Sequence, residues 1–360
     1  MPVAKLGKFR KDISQFLERS IQVQSRLCIE YMKSYAPQLG AIWPRIIKSN
    51  KKYFRREATL DELRNVLSRA EMETVARLHR YVLDELGEIA LRHSPLAAET
   101  QVDPVIANGV SAEWQTAPGA AQDKVLLYFH GGGYITGSIK SCRSFTIALS
   151  HATRMRVLSV DYRLAPEHPF PAALEDGLNA YQWLLDQGLQ PDKIIFAGSS
   201  AGGHLTLGAI LSLRDKKDLV PRGVICFNPA ASFDEASHGD SWYAKGETDP
   251  ILADLGLFWW TPAFLGLENP ADTKNPLVSP LFGDFHGFPP LLVQATPPEM
   301  LFEECQTLME KAKEAGVDAT FQVWDGMVHT WQHIGLGVWP ESQEAIDKAS
   351  EWVQNLLART

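Results

Sequence analysis

Six short apolar runs recur between residues 125 and 324, and most are followed by a stretch with helical spacing. The runs are VLLYFH (125–130), RVLSVDY (156–162), KIIFAGS (193–199), GVICFN (223–228), PLLVQAT (290–296) and ATFQVW (319–324). Helix-like segments at 141–153, 172–187, 201–214, 301–315 and 341–357 lie between or after them. Strands that are apolar along their whole length need cover on both faces, and parallel neighbours need long crossovers. The pattern therefore predicts an α/β fold with a mostly parallel central sheet flanked by helices. Residues 231–285 interrupt the rhythm with Trp242, Trp259, Trp260 and Phe264, and are too long for a simple connection. We read 101–360 as one α/β domain carrying an insertion at about 231–285.

Residues 1–100 hold no convincing strand. Ile13, Phe16, Leu17 and Ile21 follow helical spacing, as do Leu63, Val66, Leu67 and Ala70. Thr59-Leu60-Asp61-Glu62 has the order of a capping box, and Pro37, Gly40 and Pro44 are expected to break the region into several helices. The chain has a net charge of −8, which disfavours nucleic acid as a partner. Yet residues 1–56 carry thirteen Lys/Arg against three Asp/Glu, a balance of +10 that leaves −18 for the remainder. A solvated helical segment resting on an acidic body is the expected meaning. Weak contact of residues 1–56 with an anionic membrane surface or an acidic partner is the alternative. No run of eighteen apolar residues marks a membrane span, and the basic N-terminus lacks the apolar core of a secretory signal. The four cysteines, Cys28, Cys142, Cys226 and Cys305, form no CxxC pair. Reduced thiols, no metal site and a cytoplasmic location are expected.

Two glycine-rich motifs end predicted strands. Gly198-Ser199-Ser200-Ala201-Gly202 fits G-x-S-x-G, a strand–turn–helix elbow that exposes a nucleophile. The register makes Ser200 the nucleophile, and the glycines are required because side chains there would strike the neighbouring strand or helix. A bare helix start, or an anion site at the helix N-terminus, is the competing reading of this pentapeptide. FHGGGY (129–134) is the second motif. Its glycines let the N–H groups of Gly131 and Gly132 join that of Ala201 in holding an oxyanion. His130 is read as structural, since it must leave room for the loop.

A general base has to reach the serine oxygen, and His329 in VWDGMVHTW (323–331) sits on a loop after the last predicted strand. His333 is its one close rival. For the acid, LLVQATPPEMLFEE (291–304) places Glu299 just past a strand, on a turn stiffened by Pro297 and Pro298. Complementing a helix dipole is one reading of Glu299; orienting the histidine is the other. Glu303 and Glu304, one turn into the helix, should point away, and Asp325 is read as a turn former.

The sequence resembles the hormone-sensitive-lipase-like family of the α/β-hydrolases, which includes bacterial family IV esterases and fungal relatives. The matching residues are HGGGY (130–134), DYRLAPEHPFPA (161–172), GSSAGG (198–203), NPLVSPL (275–281) and DGMVH (325–329). They cover about residues 100–358 in the family's order. The resemblance implies an α/β-hydrolase fold, a serine esterase without metal or cofactor, and a helical cap built from residues 1–100 and the insertion. In its register the catalytic acid falls on Glu299, two before Leu301, completing a triad of Ser200, Glu299 and His329. The chain departs from the family at Ser199, where Asp or Thr is usual, and at the acid turn, where a glycine is replaced by Thr296.

The expected substrate is a small or medium, largely apolar carboxylic ester, such as a natural-product acetate or a lactone. Tyr134, Trp259, Trp260, Met300 and Trp331 are candidates to line its pocket, with ordinary packing the competing role for each. An acyltransferase or cyclase using the same acyl-enzyme is the alternative activity, and a non-catalytic ligand receptor a weaker one. A homodimer is left open.

Overall fold

The computed structural model describes residues 9–252 and 257–359; the first eight residues of the basic segment and residues 253–256 of the insertion lie outside it. Its eight strands are β1 (Gln101–Ala107), β2 (Val110–Thr116), β3 (Ala121–Phe129), β4 (Met155–Val160), β5 (Ile194–Ser199), β6 (Gly223–Phe227), β7 (Leu291–Ala295) and β8 (Ala319–Val323). They form one sheet in the order β1-β2-β4-β3-β5-β6-β7-β8. The pairs β1–β2 and β2–β4 are antiparallel, and every pair from β4–β3 to β7–β8 is parallel. The six predicted strands are β3 to β8.

Among the described residues the α-helices are α1 (Lys11–Tyr35), α2 (Leu39–Phe54), α3 (Leu60–Leu63), α4 (Arg69–His93), α5 (Ile139–Thr153), α6 (Ala172–Asp186), α7 (Ala201–Asp215), α8 (Asp240–Gly246), α9 (Leu257–Leu265), α10 (Phe302–Glu314), α11 (Trp331–Ile334) and α12 (Pro340–Leu357). Alternation along each strand divides the core. Val125, Leu127 and Phe129 of β3 pack into a cluster with Leu205, Leu207 and Ile210 of α7 and Leu308 of α10. Leu126 and Tyr128 face the other way, toward Phe145 and Leu149 of α5 and Ile346 and Val353 of α12. Both faces of the sheet are thus covered, as the unbroken apolar strands require.

The helices before β1 pack against the insertion. Leu39, Ile42, Ile46 and Tyr53 of α2 and Val75 and Leu78 of α4 share one buried cluster with Trp242 of α8 and Trp259 and Trp260 of α9. Thr59 and Glu62 form the expected capping box, and Ser68 and Glu71 form a second. That second cap is why the helical spacing over Leu63–Ala70 is broken into α3 and α4. Gly40 and Pro44 do not break α2, contrary to expectation. Pro44 withholds only the N–H that would meet the Gly40 carbonyl, and exposed Gly40 leaves that group to water. Among the described residues no helix is long and apolar enough to cross a membrane, and no His/Cys/Asp/Glu cluster could hold a metal ion.

Two buried imidazoles make this core acid-sensitive. Burial lowers His204 from 6.5 to about 4, and lowers His130 as well. The native state keeps His204 neutral down to about pH 4 while the unfolded chain takes up its proton below about pH 6.5. Stability should therefore fall as pH drops from 6.5 toward 4, His204 alone removing about 1.4 kcal/mol per pH unit. Urea midpoints measured between pH 7.5 and 4.5 test this; a constant midpoint would contradict it.

Candidate active site

Ser200 lies between the end of β5 and the start of α7 with φ 53° and ψ −119°, a conformation unusual for a residue with a side chain. The turn is held because the Ser200 N–H donates to the Phe227 carbonyl at 2.8 Å and its own carbonyl accepts from His204 N–H at 3.0 Å. A Cβ on Gly202 would fall 2.0 Å from the Phe129 carbonyl oxygen, and one on Gly198 would fall 2.2 Å from that of Gly202. No side chain fits at either place, which is the steric demand behind the pentapeptide. Ser199, the departure from the family pattern, is buried with its hydroxyl 2.7 Å from the Tyr128 hydroxyl, so β3 steadies the elbow from beneath.

His329 arrives on the loop between β8 and α11. Its Nε2 is 2.9 Å from Ser200 Oγ and its Nδ1 is 2.6 Å from Glu299 Oε2. The carboxylate fixes the tautomer: Nδ1–H donates to Glu299, leaving Nε2 to accept from the serine hydroxyl. Glu299 is 1% exposed and His329 3%. Glu299 Oε1 accepts from Asn228 Nδ2 at 2.6 Å and from the Thr296 N–H at 3.2 Å. Asn228 directly follows β6 at φ 50°, and only its place beside a strand end marked it in the sequence.

The rivals of these residues go elsewhere. Glu303 pairs with Lys245 at 2.5 Å and accepts from Ser241. Glu304 accepts from the N–H groups of Ala231 and Ser232. Asp325 is exposed beside Gly326 at φ 73°, and His333 stacks on Phe145.

The glycine loop after β3 presses on the elbow. A Cβ on Gly131 would be 3.3 Å from Ser200 Cβ. Among the described residues, the N–H groups of Gly131, Gly132 and Ala201 donate to no protein acceptor, and all three belong to segments bordering Ser200. His130 packs away from the serine, stacked on Tyr162 at 4.1 Å with its Nδ1 2.7 Å from the Gly131 carbonyl oxygen.

The five aromatic and sulfur candidates separate into three environments. Trp260 roofs the glycine loop so closely that a Cβ on Gly133 would meet its Cε3 at 2.1 Å. Trp259 and Met300 are fully buried in the cluster shared by α2, α4 and the insertion. Tyr134 is buried, stacked on Phe264 at 4.2 Å, with its hydroxyl 2.6 Å from His204 Nδ1. Trp331 lies in a different core, with Ile13, Leu17, Met327, Val328 and Trp339.

The sequence model describing the α/β-hydrolase fold matches residues 126–333, more than half of the chain. The chain is an α/β-hydrolase. This hydrolase is 37% identical over 252 residues to an acetyl-hydrolase of Streptomyces hygroscopicus, an alignment covering 70% of this chain and 82% of that one. It is 31% identical over 319 residues to an esterase of Acinetobacter venetianus, covering 89% and 99%. It superposes on the crystal structure of an esterase from the bacterial hormone-sensitive lipase family with a TM-score of 0.70 and 36% identity, covering 90% and 100%. The hydrolase belongs with this hormone-sensitive-lipase-like group.

Proposed function

We propose that this hydrolase cleaves carboxylic esters of small to medium, largely apolar substrates through an acyl-enzyme. Ser200 is the nucleophile, His329 the general base and acid, and Glu299 the residue that orients the imidazole. The observation that carries the reading is the unbroken chain Glu299–His329–Ser200, at 2.6 and 2.9 Å, beside three unengaged backbone N–H groups. The esterase and acetyl-hydrolase relatives support the choice of ester bonds.

In the mechanism, His329 Nε2 takes the hydroxyl proton as Ser200 Oγ bonds to the ester carbonyl carbon. The oxyanion that forms is held by the N–H groups of Gly131, Gly132 and Ala201. The imidazolium then gives its proton to the departing alkoxide, leaving an acylated serine and a free alcohol. A water molecule, deprotonated by the same Nε2, attacks the acyl carbon; collapse returns the proton to Ser200 and releases the acid. We further propose that α1 to α4 and the insertion act together as a cap, with Trp260 forming the apolar roof above the glycine loop.

Hydrolysis of p-nitrophenyl acetate and butyrate, followed during titration with a fluorophosphonate, tests this reading. One equivalent of reagent should abolish activity and modify the peptide containing Ser200. Full activity after complete labelling, or modification elsewhere, would overturn it.

A further inference from the structure

The loop between α8 and α9 sends a carboxylate toward the site that the mechanism above does not use. Asp249 is 1% exposed. Its Oδ1 accepts from the N–H groups of Ile251 at 2.8 Å and Leu252 at 2.9 Å, a local turn that asparagine would also make. Its Oδ2 does something a turn does not require: it accepts from the N–H of Met300 at 3.3 Å, the residue after Glu299. The insertion therefore grips the turn that presents Glu299 at a point distinct from the bonds of Asn228 and Thr296.

The charged neighbours are equally specific. Burial and the Glu299 carboxylate push the Asp249 carboxyl up, and the His329 imidazole pulls it down. Among the described residues Asp249 has no Lys or Arg ion pair. Glu299 from the turn after β7 and the Ser200 hydroxyl from the elbow bond the imidazole, and Asp249, bonded one residue from Glu299, adds a further negative charge to the same surroundings. A buried carboxylate without a Lys or Arg partner is costly unless hydrogen bonds and a nearby cation offset it. Three N–H groups supply the first, and the imidazolium that forms during each acyl transfer supplies the second.

Building on the esterase reading, we propose that Asp249 is a positioning residue: it holds the Glu299 turn through the Met300 N–H and adds a second anion beside the His329 imidazolium. The insertion thereby contributes to the charge relay as well as to the roof of the site. Asp249 touches neither substrate nor the reacting atoms and acts through Glu299 and His329.

Asp249→Asn keeps the volume and the local turn while removing the charge and turning an N–H₂ toward Met300. The variant should lose about 10–100-fold in kcat, the scale of a charge-assisted hydrogen bond, with KM changed little. A nearby anion favours the charged imidazole, so its loss should also move the acidic limb of activity to lower pH. The same limb read from the rate of fluorophosphonate labelling of Ser200 needs no ester substrate. Asp249→Ser, which retains a shorter acceptor for the turn, should show the same displacement. Wild-type kcat with an unmoved limb would overturn the proposal, and so would a loss of kcat tracking a lowered melting temperature with the limb in place. An active Ser200→Ala enzyme would instead bring down the esterase reading itself, and this proposal with it.

Discussion

Ser200→Ala is expected to lower ester turnover by roughly 10⁴–10⁶-fold while leaving the fold intact. The hydroxyl is the one group of residue 200 used in the proposed mechanism, and the strained elbow depends on Gly198 and Gly202 rather than on Oγ. His329→Ala should cost a similar factor, and the double variant little more than either. A nucleophile and its base act as one unit, so removing one idles the other. The small activity left over would belong to the N–H groups of Gly131, Gly132 and Ala201, which neither substitution disturbs. Initial rates with p-nitrophenyl acetate, alongside thermal melts, measure this directly. A Ser200→Ala protein within tenfold of wild type, or strictly multiplicative losses, would break the assignment.

Glu299→Gln is the second large effect, about 10⁴-fold in kcat. The change preserves shape and the acceptor for Asn228 and Thr296, yet it removes the charge opposite His329 Nδ1. An amide nitrogen there favours the tautomer whose Nε2 carries the proton, and such an imidazole cannot accept from Ser200. Glu303→Gln should stay within a few-fold of wild type, because its carboxylate is spent on Lys245 and Ser241. Glu304→Gln would loosen the Ala231–Ser232 turn and lower stability more than turnover. Measured kcat values for the three variants rank the acids, and a larger loss at residue 303 than at 299 would refute the choice.

Much of this was legible before any coordinates. Strands β3 to β8 announce themselves because residues buried on both faces leave little room for polar side chains. The hairpin of β1 and β2 was missed. Its outer strand is largely exposed and carries Pro104, so it lacks the apolar signature, although Asn108-Gly109 at φ 47° and 85° was a readable turn signal. Ser200 and the glycine loop were readable because steric demands leave few residue choices at those points. Glu299 was harder, since an acid at a helix start has two ordinary explanations and only its spacing to Leu301 chose between them. Trp331 illustrates the limit of composition: an aromatic two residues from His329 suits a pocket or a core equally, and here Ile13 and Leu17 claim it. Asp249 and Asn228 were silent because their partners lie 51 and 71 residues away.

The packing of α1 against the histidine loop gives catalysis a place in time. Met327 and Val328, which immediately precede His329, are wedged among Ile13, Leu17, Trp331 and Trp339, so segments more than 300 residues apart meet beside the proposed base. Serine, glycine loop and elbow are all synthesised long before that meeting can occur. In a nascent chain the proposed nucleophile is thus made before the proposed base can be held in place. Contacts of such long sequence separation form late in folding. On the proposed mechanism, hydrolysis then waits on the packing of α1 against the His329 loop.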